Sequence, residues 1–408
     1  MKFPQSLAIR LSLLIILSIT LVIGSTRLRA DTGTCGGQMI SVPFTDVMGN
    51  PFFCHIAAAY FSGLTNGTSA TTYSPAAAVT REQMAAFVTR TQDSVLRRGS
   101  RRAAVGQWWT PQTPEALRST DLSPSAGPAD IACDGADLWV ANAASGTVSR
   151  VRASDGKLLE TWTGADGASG ILVAAGRVFI TGIQAAGMAG RVYVIDPTQP
   201  AGAVTLLKDN TGPNPYGITF DGVNLWTANA GSMTSGSVTR IPLTGGAETT
   251  FTTEFTQPYD ILWDGENLWV ADFGTELVKR IDPVSGVVLE SIPVGTGPVG
   301  LLFDGVNLWV SVFFEDSLAA VRAAGNLRGR VLATLTGNGL IRPRGLAFDG
   351  ERILTVNFGG PSASLFKAAD FTPLSSLSVG AMAGSQHACS DGLNFWITRT
   401  NTNDIERF

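Results

Sequence analysis

Charge is scarce in this chain. Its 408 residues carry 29 Lys and Arg against 33 Asp and Glu, a net charge of −4. No sustained basic patch points to nucleic acid, and so weak an acidity selects no partner. Histidine is nearly missing, with two residues, and cysteine is limited to four. No nucleophile–base pair and no thiol–His motif appears, so nothing announces covalent catalysis. Glycine is plentiful at 46 residues, yet no Gly-rich loop leads into a helix, which excludes a phosphate cradle of that kind. Beyond the first residues, no segment is apolar enough to span a bilayer.

The N-terminus reads as a targeting segment. Lys2 and Arg10 flank a polar start, Leu11 to Gly24 form an apolar run, and Ser25 to Ala30 offer a cleavage region before Asp31. The run is short for a membrane span, so residues 1–30 are expected to be a cleaved signal that leaves no transmembrane span. No cysteine follows the run directly, which argues against a lipoprotein. The expected destination is secretion or the cell surface, where cysteines oxidise.

Residues 31–92 form a small module. Phe44-Thr45-Asp46-Val47 precedes an apolar stretch from Phe53 to Leu64, and a Gly/Thr/Ser loop leads to Tyr73-Ser74-Pro75. Thr80 with Gln83 is a capping-box pair opening a helix, with Met84, Phe87 and Val88 on one face. The pattern is helix, loop, helix. The order and spacing of these motifs, with Thr80-Arg81-Glu82-Gln83-Met84-Ala85, resemble an S-layer homology module. That resemblance implies binding of cell-wall polysaccharide, with the contact roles falling on Asp46 and Arg81. The same two residues would equally suit helix capping and mutual pairing. Residues 93–112 read as a linker, in which Arg97, Arg98, Arg101 and Arg102 precede Trp108 and Trp109. A solvated connector accounts for them better than a polyanion contact.

A repeat fills residues 113–408. Phe220-Asp221-Gly222-Val223-Asn224-Leu225-Trp226 returns at Trp263 to Trp269 and at Phe303 to Trp309, with weaker copies from Cys133, Val173, Phe348 and Ser390. The seven starts lie 40, 47, 43, 40, 45 and 42 residues apart. Such a period marks a stacked-repeat architecture. In residues 259–298, Tyr259 to Trp263, Asn267 to Asp272, Leu277 to Asp282 and Val287 to Pro293 alternate as strands, and Asp264-Gly265 supplies a tight hairpin. Each unit is then a four-stranded antiparallel meander, and radial stacking buries its faces. The fold class is all-β: a seven-bladed propeller with a small N-terminal helical module.

Trp139, Phe179, Trp226, Trp269, Trp309, Leu354 and Trp396 share one register position and are expected to fill the gaps between blades. The seventh unit ends after three strands at Phe408, and Glu115 to Leu122 resembles the missing fourth. An N-terminal strand should therefore complete the last blade and remove the open edges. Ring closure makes blades one and seven neighbours. Cys133 and Cys389, offset by one register position, are then expected to bond across the gap, which leaves Cys35 to pair with Cys54.

The register also singles out variable positions near the axis. Four residues before each turn position stand Asp130, Gly170, Gly217, Asp260, Gly300, Gly345 and His387. Eight after it stand Asn142, Gly182, Asn229, Asp272, Val312, Asn357 and Arg399. The polar members form one candidate ligand constellation at a channel mouth: Asp130, Asn142, Asn229, Asp260, Asp272, Asn357, His387 and Arg399. Two readings stand open. They could hold a divalent cation (Ca²⁺ or Mg²⁺) or a small polar ligand. They could instead hydrate a wet channel or bond to loop backbone.

Pro215 to Asn229 and Val278 to Pro283 carry a pattern that resembles YVTN-type and virginiamycin B lyase-like propellers. The lyase resemblance implies a Mg²⁺ site with His and Glu residues at the channel. Here His387 is the propeller's single histidine, and no Glu occupies the positions above. The expectation is therefore a monomeric, non-enzymatic surface propeller acting as a binding scaffold for an unidentified protein or small polar ligand. The alternative is a metal-dependent hydrolase or lyase at the channel mouth.

Overall fold

A computed structural model describes residues 30–35, 38–61, 65–85, 87, 119–184, 189–232, 235–380 and 384–408. The targeting segment and the linker fall outside these residues. The chain divides into two compact units, 1–105 and 106–408.

The first unit opens with a hairpin, Asp31–Cys35 against Gln38–Val42, which the helix–loop–helix reading of the sequence does not include. Helix Phe53–Phe61 follows, and residues 81–85 and 87 are helical. Val42, Phe44, Val47, Phe53, Ile56 and Ala57 make its core, with Tyr60 and Tyr73 packed on. Cys35–Cys54 ties the hairpin to the helix. The buried Asp31 carboxylate accepts the Val47 and Met48 amides at 2.8 Å each. Such side-chain bonds compensate for a core this small. The capping box forms as expected: Gln83 N–H donates to Thr80 Oγ1 at 3.2 Å, and Thr80 N–H donates to Gln83 Oε1 at 2.9 Å. Met84 is 53% exposed, so the face expected to be apolar is not buried there.

The second unit is a closed ring of seven four-stranded antiparallel sheets. Blade four is typical, with strands Pro258–Trp263, Leu268–Asp272, Leu277–Ile281 and Val288–Pro293. Its hairpin is a four-residue loop, because Trp263 pairs with Leu268 and Asp264 N–H donates to Asn267 O. Gly265 alone there takes a positive φ, +101°, which a side chain would resist. In blade two the loop shrinks to Ala175 and Gly176, both at positive φ. Blade seven contains Ser385–Ser390, Phe395–Arg399 and Asp404–Arg407, and its fourth strand is Ser119–Asp121. Cys133–Cys389 closes the same seam.

One carboxylate organises the hairpin in every blade but blade two, where Ala174 stands in its place. Asp264 Oδ1 accepts the amides of Glu266 and Asn267 at 2.7 Å each, and Oδ2 accepts the Trp269 indole N–H at 2.6 Å. The same indole bond recurs from Trp139 to Asp134, Trp226 to Asp221, Trp309 to Asp304 and Trp396 to Asp391. Blade six has Leu354 instead, and Arg352 Nε donates to Asp349 Oδ2 at 2.9 Å. The indole is thus satisfied at its polar edge and free to bury its rings. All five tryptophans are fully buried. Trp269 packs on Leu301, Leu308 and Val310 of blade five, and Trp396 packs on Ile131, Leu138 and Val140 of blade one.

Trp269→Ala should destabilise the propeller by about 3–5 kcal/mol in denaturant titration, as a lost core aromatic does. Burial opposes the charge on Asp134 and Asp221, but the turn amides, the indole and, at Asp221, the Asn224 side chain hold both below their ordinary value of 3.8. That contribution is complete above pH 3.8 and is lost as pH falls below it.

Candidate functional site

The first strand of each blade lines the centre of the ring, and its opening residues carry a recurrent distortion. In blades one and three to five the ladder skips one residue, so Ala129, Tyr216, Tyr259 and Val299 are left unpaired. Blades six and seven skip two, at Arg344-Gly345 and Gln386-His387. A bulge re-aims side chains and is common beside functional sites. In five blades a proline sits just before it, where no ladder N–H is required.

The two sets of residues singled out in the sequence lie at one end of the blades, since Pro258 pairs with Asp272 and Pro128 with Asn142. Their side chains part company. Asn229 Nδ2 donates to Thr211 O, Ser237 Oγ and Thr239 Oγ1 at 2.9–3.1 Å. Asn142 bonds Thr147 and Ser149, and Asn357 bonds Ser362 and Ser364. Asp272 accepts the Gln257 amide at 2.7 Å and Lys279 Nζ at 2.7 Å, and both partners of that ion pair are buried. Arg399 bridges Asp404 and Glu406. These five are therefore engaged structurally, tied to the third strand of their own blade, to the fourth strand of the preceding one or to loop backbone.

Asp130, Asp260 and His387 do come together. His387 Nδ1 lies 3.1 Å from Asp130 Oδ1. Asp130 also accepts the Ile131 and Ile171 amides, at 2.8 and 2.9 Å. Asp260 accepts Ile261 and Leu301 in the same way, at 2.8 Å each. Each carboxylate thus braces its strand against a neighbouring blade. The space is tight: a Cβ on Gly217 would meet Asp260 Cα at 2.8 Å, and one on Gly345 would meet His387 Cα at 2.4 Å. Burial pushes the Asp260 carboxyl up to about 6, against the pull of the Leu301 amide and His387. Among the described residues no group of three His, Cys, Asp or Glu is arranged to hold a metal ion. Both carboxylates are already engaged by backbone amides.

The feature that the sequence reading passed over is aromatic. Tyr216 stacks on Tyr259 with centroids 5.0 Å apart and planes at 2°. Contacts of 5.1, 5.4, 5.2 and 6.0 Å then run from Tyr259 through Phe273, Phe314 and Phe313 to Phe358. Six rings form an unbroken arc over blades three to six. Arg342 lies over Phe313 and Arg344 over Phe358, at 5.8 and 5.5 Å. Phe314 is 57% exposed, Ile341 42% and Phe358 39%. At the equivalent positions blades seven, one and two carry Gln386 and Thr400, Ala129 and Ala143, and Ser169 and Ile183. The signal lay one register position away from the residues first considered, five before and nine after the turn aspartate.

In the first unit, Asp46 accepts the Tyr73 amide at 2.9 Å and the Ser74 amide at 2.7 Å, fixing the Tyr73-Ser74-Pro75 turn. Arg81 is exposed on its helix.

Comparison with known proteins agrees with this division. Residues 43–85 match the S-layer homology domain, a family associated with the cell surface. No curated protein matches the chain in sequence. By structure the chain is similar to virginiamycin B lyase from Staphylococcus aureus, at 18% identity and TM-score 0.59 over 71% of this chain and 97% of that one. It is similar to Kuenenia stuttgartiensis hydrazine synthase at 16% and 0.58, over 70% and 96% of the two chains. It is also similar to the WD40 β-propeller domain of Doa1 at 11% and 0.59, over 72% and 95%. Likeness at these identities establishes the propeller fold alone.

The raised Asp260 carboxyl sets a pH dependence. Its proton is held more tightly in the folded state, so stability should fall as pH rises from about 4 to about 6 and then level off. In Asp260→Asn that decline, about 2–3 kcal/mol at most, should vanish from urea titrations across the window.

Proposed function

We propose that this chain is an exported, monomeric binding protein of the cell surface. Its S-layer homology module associates with cell-wall polysaccharide, and its propeller takes a partner at the aromatic mouth. The one-sided arc carries this reading. Blades need large apolar wedges between them, and five tryptophans with Phe179 and Leu354 supply these; nothing in sevenfold packing calls for six more rings clustered on four blades with their faces partly in water. An exposed apolar patch of this kind on a folded scaffold is the usual mark of an interaction site. Asp46 and Arg81 support the wall-binding part through the module match, with Asp46 also serving the turn. Among the described residues no helix is long and apolar enough to cross a membrane, which is compatible with retention by the module.

A second reading, a metal-dependent hydrolase or lyase working in the channel, draws on the Asp130–His387 pair and on Asp260, a carboxyl titrating near the pH range of acid–base chemistry. Tightly bound Ca²⁺ or Mg²⁺ in purified protein, lost in Asp260→Ala, would favour it.

The binding-protein reading is tested by co-sedimentation with purified cell walls. Intact protein should pellet with them, and protein lacking residues 31–92 should stay in solution. Equal pelleting of the two would remove the wall-binding role.

A further inference from the structure

Arg344 stands apart from the other arginines of the propeller that are not exposed. Arg150, Arg191, Arg280, Arg352 and Arg399 each hold a carboxylate. Arg240 and Arg407 donate to backbone carbonyls, Arg322 to Asn307, and Arg328 to Glu266. Arg344 is half-buried, yet among the described residues its guanidinium has no hydrogen-bond acceptor. Burial lowers its pKa, while Tyr259, Tyr216 and Asp130 act on it through space. The hydroxyls of Tyr216 and Tyr259 likewise have no partner among the described residues. Tyr216 and Tyr259, stacked on each other, share one register position with Arg344 on blades three, four and six, and both act on its guanidinium through space. Asp130, the acid nearest in effect, is already occupied by two amides and His387. None of these polar atoms is sealed from solvent, so water serves them in the free protein and an anionic ligand can take its place.

We infer that Arg344, Tyr216 and Tyr259 form the anchor of a site for a small organic acid, whose carboxylate they hold while its flat apolar body lies along the ring arc from Phe358 to Phe314. The guanidinium lies over the Phe358 ring, and its planar N–H fork is of the kind that holds a carboxylate by two parallel bonds. The neighbouring rings offer faces and edges for stacking. This inference rests on the reading of the aromatic mouth as a binding face and adds the chemical class of what binds there.

Calorimetric titration with phenylacetate and with its neutral twin phenylacetamide tests it. The acid should bind saturably and at least about tenfold more tightly than the amide, the worth of a charge-assisted hydrogen-bond pair. Arg344→Gln should bring the acid down to the affinity of the amide. Tyr259→Phe, which keeps the stack and removes one hydroxyl, should weaken the acid with no change in melting temperature. Should Arg344→Gln fold poorly, Arg344→Lys serves instead, and loss of the planar fork should still cost affinity for the acid. Equal affinity for acid and amide, a preference for the acid that survives in Arg344→Gln, or no saturable binding of phenylacetate would overturn the inference. Equal affinity that disappears in Phe314→Ala would overturn only the acid specificity and leave the aromatic mouth as a binding face.

Discussion

In six of the seven blades a single aspartate carboxylate sets two things at once. Its Oδ1 gathers the turn amides, which fixes the hairpin and so the register of the first two strands. Its Oδ2 meets the indole of the residue five places on, or in blade six the guanidinium of Arg352. The indole so held is the wedge that fills the gap to the next blade. Because one acceptor serves both the turn and the wedge in five blades, hairpin geometry and inter-blade packing are coupled there, while Phe179 and Leu354 fill the same position in blades two and six. A shift of one residue would turn every wedge to the wrong face. Cys133–Cys389 and the strand Ser119–Asp121 then lock a seam whose packing the tryptophan of blade seven already provides.

Much of this was legible in the sequence because it repeats. The spacing of Asp-Gly-x-Asn-Leu-Trp determines the blade count. The unmatched final unit predicts the N-terminal strand, and the register brings Cys133 to Cys389. What repetition could not show was the direction of single side chains. Asn142, Asn229, Asp272, Asn357 and Arg399 sit at the expected end of the blades but are engaged by nearby strands and loop backbone, since buried polar groups take hydrogen-bond partners. The bulge at the start of the inner strand is also invisible in a pattern of apolar alternation. It places Tyr216, Tyr259 and Arg344 at the mouth, one residue from the positions that strict alternation marks. The hairpin Asp31–Cys35 with Gln38–Val42 escaped notice for a simpler reason: strands of only five residues carry little periodic signal.

The division of labour follows from that contrast. Residues that recur in all blades build the scaffold, and residues that break the recurrence are available for function. The breaks are not scattered. Aromatic rings, with Arg342 and Arg344 over two of them, occupy the mouth over blades three to six, while non-aromatic residues occupy the equivalent positions of blades seven, one and two. The Asp130–His387–Asp260 cluster lies between the two kinds, since its carboxylates brace strands and yet border the channel.

The claim that the wedge is scaffold and the arc is not can be put to one comparison, chemical unfolding of Asp264→Ala beside Phe314→Ala. The account predicts that Asp264→Ala lowers the stability of the propeller by about 2–4 kcal/mol, because it strips an indole and two amides of their acceptor. Phe314→Ala, removing a ring that is mostly in water, should stay within about 0.5 kcal/mol of the parent. A loss for Phe314→Ala as large as that for Asp264→Ala would contradict the account, since the arc would then be holding the fold together and could not be surface set aside for a ligand.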